Sequence, residues 1–271
     1  MKIAYVTSHI NRSTQWIWFS EELNKRNIDH IHIIINDYKP LLYDDLKEGN
    51  VNVYFLKQTN KLSYIPNFFR IIRIFKKHKI DLVHTELPHG NLMGLTAAYL
   101  CSIKMRISTC ENTTWFSDFK SKKQEIIDSI TYFLSKRVVA LTQDSYEFLA
   151  KHFHISLRKL RIIHHSLKLS EYLDIPDEVV QNMRNELEIP KDKFIIGMVA
   201  RFEFWKGHDF AIEAMQKLVK EFPNARLYIF GSKGESFEGA IKRIKEKMIF
   251  SAVDNFSTRN VLFEKRSLVK K

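Results

Sequence analysis

The sequence predicts an α/β protein built from two Rossmann-like doubly wound domains, the second incomplete. Three observations carry this. Apolar runs alternate with amphipathic stretches of helical period as far as residue 164, the order of a parallel sheet wound by crossover helices. A segment at 171–192, rich in Asp and Glu and carrying Pro176 and Pro190, breaks that rhythm, and a second cycle of strand, helix and strand follows it. Beyond residue 247 the periodicity stops. The expected layout is a first domain at 1–170, an interdomain segment at 171–192, a partial second domain at 193–247 and an irregular tail at 248–271.

Taken in order, residues 2–7 read as a strand and 14–26 as a helix with Trp16, Phe19, Ser20 and Leu23 on one face. Strands are expected at 31–35 and 51–56, a basic helix before residue 80, and then a strand at 81–85. A helix at 91–101, a strand at 105–109, a helix at 124–136 and a strand at 137–141 continue the alternation. Thr142 is placed to cap the next helix, which turns Tyr146, Leu149, Ala150 and Phe153 inward, and a strand at 160–164 ends the domain. The second cycle is a strand at 194–199, a helix at 209–222 with Ala211, Met215, Leu218, Val219 and Phe222 at helical spacing, a strand at 225–230 and a helix at 235–247.

Composition narrows the function classes. Forty-three Lys and Arg against thirty-one Asp and Glu give a net charge of +12, which favours anionic partners: nucleotides, acidic phospholipid or nucleic acid. No nucleic-acid module accompanies the charge, so nucleic acid ranks last. The N-terminus lacks the apolar run of a signal peptide and no segment reaches the length of a membrane span, so the expected location is the cytoplasm, or its membrane surface. Cys101 and Cys110 have neither metal-ligand nor redox spacing and are expected reduced and packed. Between residues 61 and 80 the cations include Arg70, Arg73, Lys76 and Lys77, with no acid among them and apolar residues interleaved. That composition suits a membrane-surface helix, and equally a sheet-packing helix with solvated cations.

The most specific local signal is Ile195-Ile196-Gly197-Met198-Val199-Ala200-Arg201-Phe202-Glu203-Phe204-Trp205-Lys206-Gly207-His208-Asp209. It places an arginine and a lysine five apart between a strand and a helix, where unpaired N–H groups and the helix dipole favour phosphate. This segment resembles the donor-site turn of the family 4 glycosyltransferases of the GT-B fold. Arg226-Leu227-Tyr228-Ile229-Phe230-Gly231 resembles that family's second strand-turn motif, the run from Asp81 to Gly94 its strand and loop around the sugar-transfer cleft, and Arg161 to Leu167 the segment that closes its first domain, in family order across residues 1–247. The resemblance implies a GT-B-like fold and a hexosyltransferase. It implies transfer of a sugar from a nucleotide-diphosphate sugar to a saccharide or lipid-linked acceptor, with retention, in surface polysaccharide biosynthesis. It further implies no cofactor and no metal, with Arg201 and Lys206 holding the diphosphate.

Other site residues follow less directly. Gly231 either approaches the nucleotide or turns the chain. Ser13 and Thr14, in a first loop that lacks the glycines of many relatives, either bind donor phosphate or cap the next helix. On the acceptor side, His89 is the favoured candidate to orient sugar hydroxyls or shuttle a proton, ahead of His84. Glu111 stands near where many relatives have a cleft histidine and is the second catalytic candidate. His164-His165 read as structural. The family's paired glutamates, seven residues apart, do not occur before Lys271, so the chain reads as C-terminally truncated. Its second domain would then be completed by a separate polypeptide or a homodimer partner, or be the remnant of an interrupted gene. A non-catalytic, basic membrane- or partner-binding remnant is the alternative function, and a sugar epimerase of the same fold a lesser one.

Overall fold

The computed structural model describes residues 1–111, 122–187, 189, 191–201, 206–231 and the backbone of 261–264. The chain divides into two compact units, Met1–Tyr172 and Leu173–Lys271.

The first unit is a seven-stranded parallel sheet in the order β3-β2-β1-β4-β5-β6-β7. Its strands are β1 (Ile3–Ser8), β2 (His30–Asn36), β3 (Asn52–Lys57), β4 (Leu82–Thr85), β5 (Met105–Cys110), β6 (Arg137–Ala140) and β7 (Leu160–Ile162). The crossover helices are α1 (Thr14–Lys25), α2 (Leu41–Glu48), α3 (Tyr64–His78), α4 (Pro88–Leu100), α5 (Lys122–Leu134) and α6 (Gln143–Lys151). β1 and β2 are buried along their whole length, as a parallel strand covered on both faces requires. Alternation sorts the side chains of β1 between two cores. Ala4 and Val6 join Ile71, Phe75, Met93 and Ala97 of α3 and α4, while Ile3 and Tyr5 join Trp16, Leu23, Leu42 and Leu46 of α1 and α2.

Most expected elements lie within a few residues of their places. The main omission is α2, an eight-residue helix that buries only Leu42 and Leu46. Phe19, expected inward, is 42% exposed, although its ring still meets those of Tyr5 and Trp16 edge-on. Thr142 caps α6 in a reciprocal box with Ser145, as its sequence position suggests. Cys110 is buried beside Tyr132 and Cys101 is half-buried. His164 is tied by Nδ1 to the Leu141 carbonyl, in keeping with a structural role.

In the second unit β8 (Phe194–Val199), β9 (Ala225–Phe230) and β10 (Val261–Glu264) pair in parallel in the order β10-β9-β8. β8 and β9 have the bounds read from sequence. β10 corrects that reading: it lies within 248–271, expected to be an irregular tail, and gives the sheet a third strand paired through Val261 with Leu227. Four residues offer no measurable period, so this strand is defined by its neighbour rather than by its own pattern. Helix α9 (His208–Glu221) packs Ile212, Met215 and Val219 onto Ala225, Leu227 and Ile229. Along the chain, α7 (Ser170–Leu173) and α8 (Asp177–Glu186) come between β7 and β8. The helix expected at 235–247 lies outside the described residues.

Candidate functional site

Strand order reverses at β1, whose successors β2 and β3 lie to one side and β4 to the other. Loops leaving the carboxyl ends of β1 and β4 therefore diverge, opening the crevice in which doubly wound sheets hold ligands. The structure gathers polar groups there. His9, just past β1, puts Nε2 2.6 Å from Nδ1 of His89 in the first turn of α4. The Tyr64 hydroxyl, at the start of α3, lies 3.0 Å from the same imidazole. Burial chiefly, with the nearby His9 and Lys123 adding to it, lowers the His89 pKa to about 4. His89 is thus a neutral hydrogen-bonding ring at physiological pH rather than a cation.

The loop after β1 reaches this position without glycine. His9 takes a positive φ of 51°. Asn36, fully buried at the end of β2, clamps Ile10 by donating to its carbonyl at 2.6 Å and accepting from its N–H at 3.1 Å. Arg12 adds a two-pronged pair with Asp45 of α2, at 2.9 and 3.2 Å. Side chains from two neighbouring elements thus fix a path that glycines would otherwise leave loose. Glycine is needed instead at position 90, where a Cβ would stand 2.9 Å from the Val6 carbonyl oxygen and where the N–H donates to Ser8 Oγ. That close approach seats the first turn of α4, and with it His89, against β1.

Beside this group lies a buried carboxyl. Glu86, directly after β4, is only 6% exposed; its Oε2 accepts from the indole N–H of Trp16 at 3.1 Å, and its carboxyl is hydrogen-bonded to Glu111 at the end of β5. Burial first, then the Glu111 charge, raises its pKa to about 9. The following residue, Leu87, holds a φ of +65° with ψ 152°, a region that strains any residue but glycine. His84, the lesser histidine candidate, is bonded through Nε2 to Thr109 and packs on Tyr5 and Trp16, and burial lowers its pKa to about 4. It belongs to the core below the crevice.

Of the residues chosen from sequence, the structure brings His89 and Glu111 to the carboxyl edge of the first sheet. Ser13 caps α1, its side chain accepting from the Trp16 N–H, and Thr14 is the exposed first residue of that helix. His9, Tyr64, Glu86 and Trp16 were missed. Only Glu86 left a trace, as a carboxylate directly between an apolar strand and a Pro-His-Gly turn.

The second unit carries the cations. Arg201 lies two residues past β8 and Lys206 two residues before α9; both are exposed, and residues 202–205 between them lie outside the described residues. Gly207 caps α9 at φ +78°, a left-handed turn that releases the chain into the helix with Lys206 at its mouth. Gly231 follows the last residue of β9 and is half-buried. Of the five expected donor residues, Arg201 and Gly231 thus follow the carboxyl ends of β8 and β9 and Lys206 precedes α9, whereas Ser13 and Thr14 belong to the start of α1 in the first unit.

Two family profiles match the chain, "Glycosyltransferase Family 4" over residues 16–171 and "Glycosyl transferases group 1" over 179–261. The second match extends past residue 247 to the start of β10. Curated relatives include the capsular polysaccharide biosynthesis glycosyltransferase CapM of Staphylococcus aureus, 24% identical over 78% of this chain and 56% of its own. Another is the Escherichia coli UDP-Gal:alpha-D-GlcNAc-diphosphoundecaprenol alpha-1,3-galactosyltransferase, 19% identical over 74% of this chain and 54% of its own. The chain thus spans about half the length of these relatives. Among solved structures, Anabaena HepE in complex with UDP and glucose superposes with a TM-score of 0.76 at 14% identity, covering 97% of this chain and 68% of that one. The first profile alone covers more than half of the residues, both units have the parallel α/β architecture of GT-B enzymes, and the chain belongs to glycosyltransferase family 4.

Proposed function

We propose that this chain carries the sugar-transfer machinery of a retaining glycosyltransferase that moves a hexose from a nucleotide-diphosphate sugar to a saccharide or lipid-linked acceptor in surface polysaccharide synthesis. The observation that carries the reading is the segment from β8 to α9, in which Arg201 comes two residues after the strand and Lys206 two residues before the helix N-terminus. Departure of a nucleoside diphosphate builds negative charge on phosphate oxygens. Fixed cations and unpaired N–H groups at that point stabilise the charge more as the bond to the sugar breaks than before it. In this reading Arg201 and Lys206 neutralise the leaving group, and Gly231 lets backbone approach the nucleotide. The first unit receives the acceptor, with His89 and Glu111 facing it. The name of the Escherichia coli relative, with its undecaprenol-linked substrate, supports a lipid-linked acceptor.

The test is to incubate the protein with UDP- and GDP-hexoses and an undecaprenyl-diphosphate-linked monosaccharide. Product mass is then read by mass spectrometry and anomeric configuration by NMR. A new glycosidic bond of the donor's own configuration is expected; an inverted product removes the retaining mechanism, and no product from any donor favours the second reading.

That second reading is a non-catalytic protein docked on an anionic membrane, and one observation favours a membrane surface under either reading. Helix α3 turns Asn67, Ile71, Ile74 and Phe75 inward, yet Ile65 and Phe69 on its opposite side remain 65% and 62% exposed, and Leu62 in the turn before it 81%. Arg70, Arg73, Lys76 and Lys77 are exposed with them. Sheet packing accounts for the first set of apolar residues and leaves the second unexplained. Among the described residues no helix is long and apolar enough to cross a membrane. Contact through α3 would therefore be interfacial, by a helix lying in the headgroup plane.

A further inference from the structure

We infer that Glu86 and Glu111 hold one proton between them and act as a unit, Glu86 as the positioning residue and Glu111 as the carboxylate that accepts a hydrogen bond from a hydroxyl of the acceptor sugar. The inference rests on the glycosyl-transfer reading and assigns its acceptor contact. An ionised carboxylate has no hydrogen to give, so two carboxyl groups in hydrogen-bond contact require a proton on one of them. Trp16 leaves room for that proton on Glu86: its indole N–H donates to Oε2 at 3.1 Å, so the other oxygen can hold the proton and offer it to Glu111.

Burial points the same way. Glu86 is 6% exposed at the foot of the crevice, whereas Glu111 is exposed at the end of the adjacent strand, so the charge belongs on the residue that water and substrate can reach. The groups that face Glu86 include no cation among the described residues. They are Tyr5 on β1, Trp16 on α1 and Glu111 on β5, with His32 on β2 and His84 on β4 close by and kept neutral by burial, at about 3 and about 4. Glu86 accordingly keeps its proton until pH passes about 9. A lone exposed glutamate would swing among rotamers; one hydrogen-bonded from behind by a neutral acid presents its free oxygen in a fixed direction. A saccharide hydroxyl, which both donates and accepts, fits that oxygen.

Three variants test this: Glu86→Gln, whose amide can donate to Glu111 and accept from Trp16, Glu86→Leu, which can do neither, and Glu111→Gln. Methyl glycosides of glucose, galactose and N-acetylglucosamine serve as probes in saturation-transfer NMR without nucleotide, and UDP titration is run in parallel. Wild type and Glu86→Gln are expected to give saturation transfer to at least one probe, and Glu86→Leu and Glu111→Gln to lose it at least tenfold. The wild-type signal should fall as pH rises through about 9, while that of Glu86→Gln should not. Urea unfolding gives a readout independent of sugar. A carboxyl pKa raised from 4.5 to about 9 stabilises the fold most below 4.5, and that stabilisation is lost as pH climbs to about 9. The unfolding midpoint of wild type should therefore drop between pH 6 and 9 relative to that of Glu86→Gln. Absence of signal in wild type, signal that survives in Glu111→Gln, or midpoints that run parallel with pH would each overturn the inference. Loss of sugar contact with UDP binding intact sinks the carboxyl pair alone; loss of UDP binding sinks the glycosyltransferase reading.

Discussion

Replacing Arg201 or Lys206 with alanine is expected to lower kcat/KM for sugar transfer by about two to three orders of magnitude each, the usual cost of removing one preorganised donor from a developing oxyanion. The two losses should not add, because the same diphosphate charge is shared between them. Thermal stability should barely move. Both side chains are exposed and, among the described residues, neither takes part in an ion pair, so folding should change by no more than about 0.5 kcal/mol. Arg201→Lys is the sharper variant. A guanidinium grips a phosphate through two parallel N–H bonds and an ammonium does not, so lysine at this position should recover only part of the loss. Steady-state kinetics beside a thermal melt of each variant checks both halves, since a loss that follows unfolding would not implicate the phosphate.

Neutralising Arg70, Arg73, Lys76 and Lys77 to glutamine should weaken partitioning onto anionic vesicles by about three orders of magnitude, taking about 1 kcal/mol for each cation near a charged leaflet and about 1.4 kcal/mol per tenfold. Converting Leu62, Ile65 and Phe69 to serine should weaken it as well, and that loss should persist in high salt, where the charged contribution is screened. Neither set touches the inward face of α3, so the circular dichroism spectrum should be unchanged. Sedimentation with vesicles of phosphatidylglycerol, against phosphatidylcholine as control, is the measurement. Equal binding of wild type and both variants would return α3 to the ordinary role of a sheet-packing helix with solvated cations.

The strands were legible as short, largely apolar runs bounded by polar or turn residues, a signal that holds for β1 and β2, buried throughout, and for β8, which buries no residue. Phe194–Val199 and Ala225–Phe230 were read to the residue, and His30–Asn36 to within one at each end. Helix α2 and strand β10 were not, since eight and four residues hold too little period to separate from a loop. The site divides along similar lines. Arg201 and Lys206 are local: their significance follows from one strand, one turn and one helix in succession. Glu86 is not local, because what marks it is an indole 70 positions away and a second carboxyl at the end of the next strand. His9 became visible only once Asn36 and Asp45 were seen to hold its loop. Composition announced the basic surface of α3, but which face of the helix stayed bare depended on what the other face packed against.

The central claim is that the turn between β8 and α9 grips a diphosphate, and calorimetric titration tests it most directly. UDP and GDP, each against its monophosphate, should differ by at least about tenfold in favour of the diphosphate, the worth of one charge-assisted hydrogen bond of about 1.5 kcal/mol or more. In Arg201→Ala that preference should vanish. Equal affinity for mono- and diphosphate in wild type, or a preference unchanged by the substitution, would contradict the account.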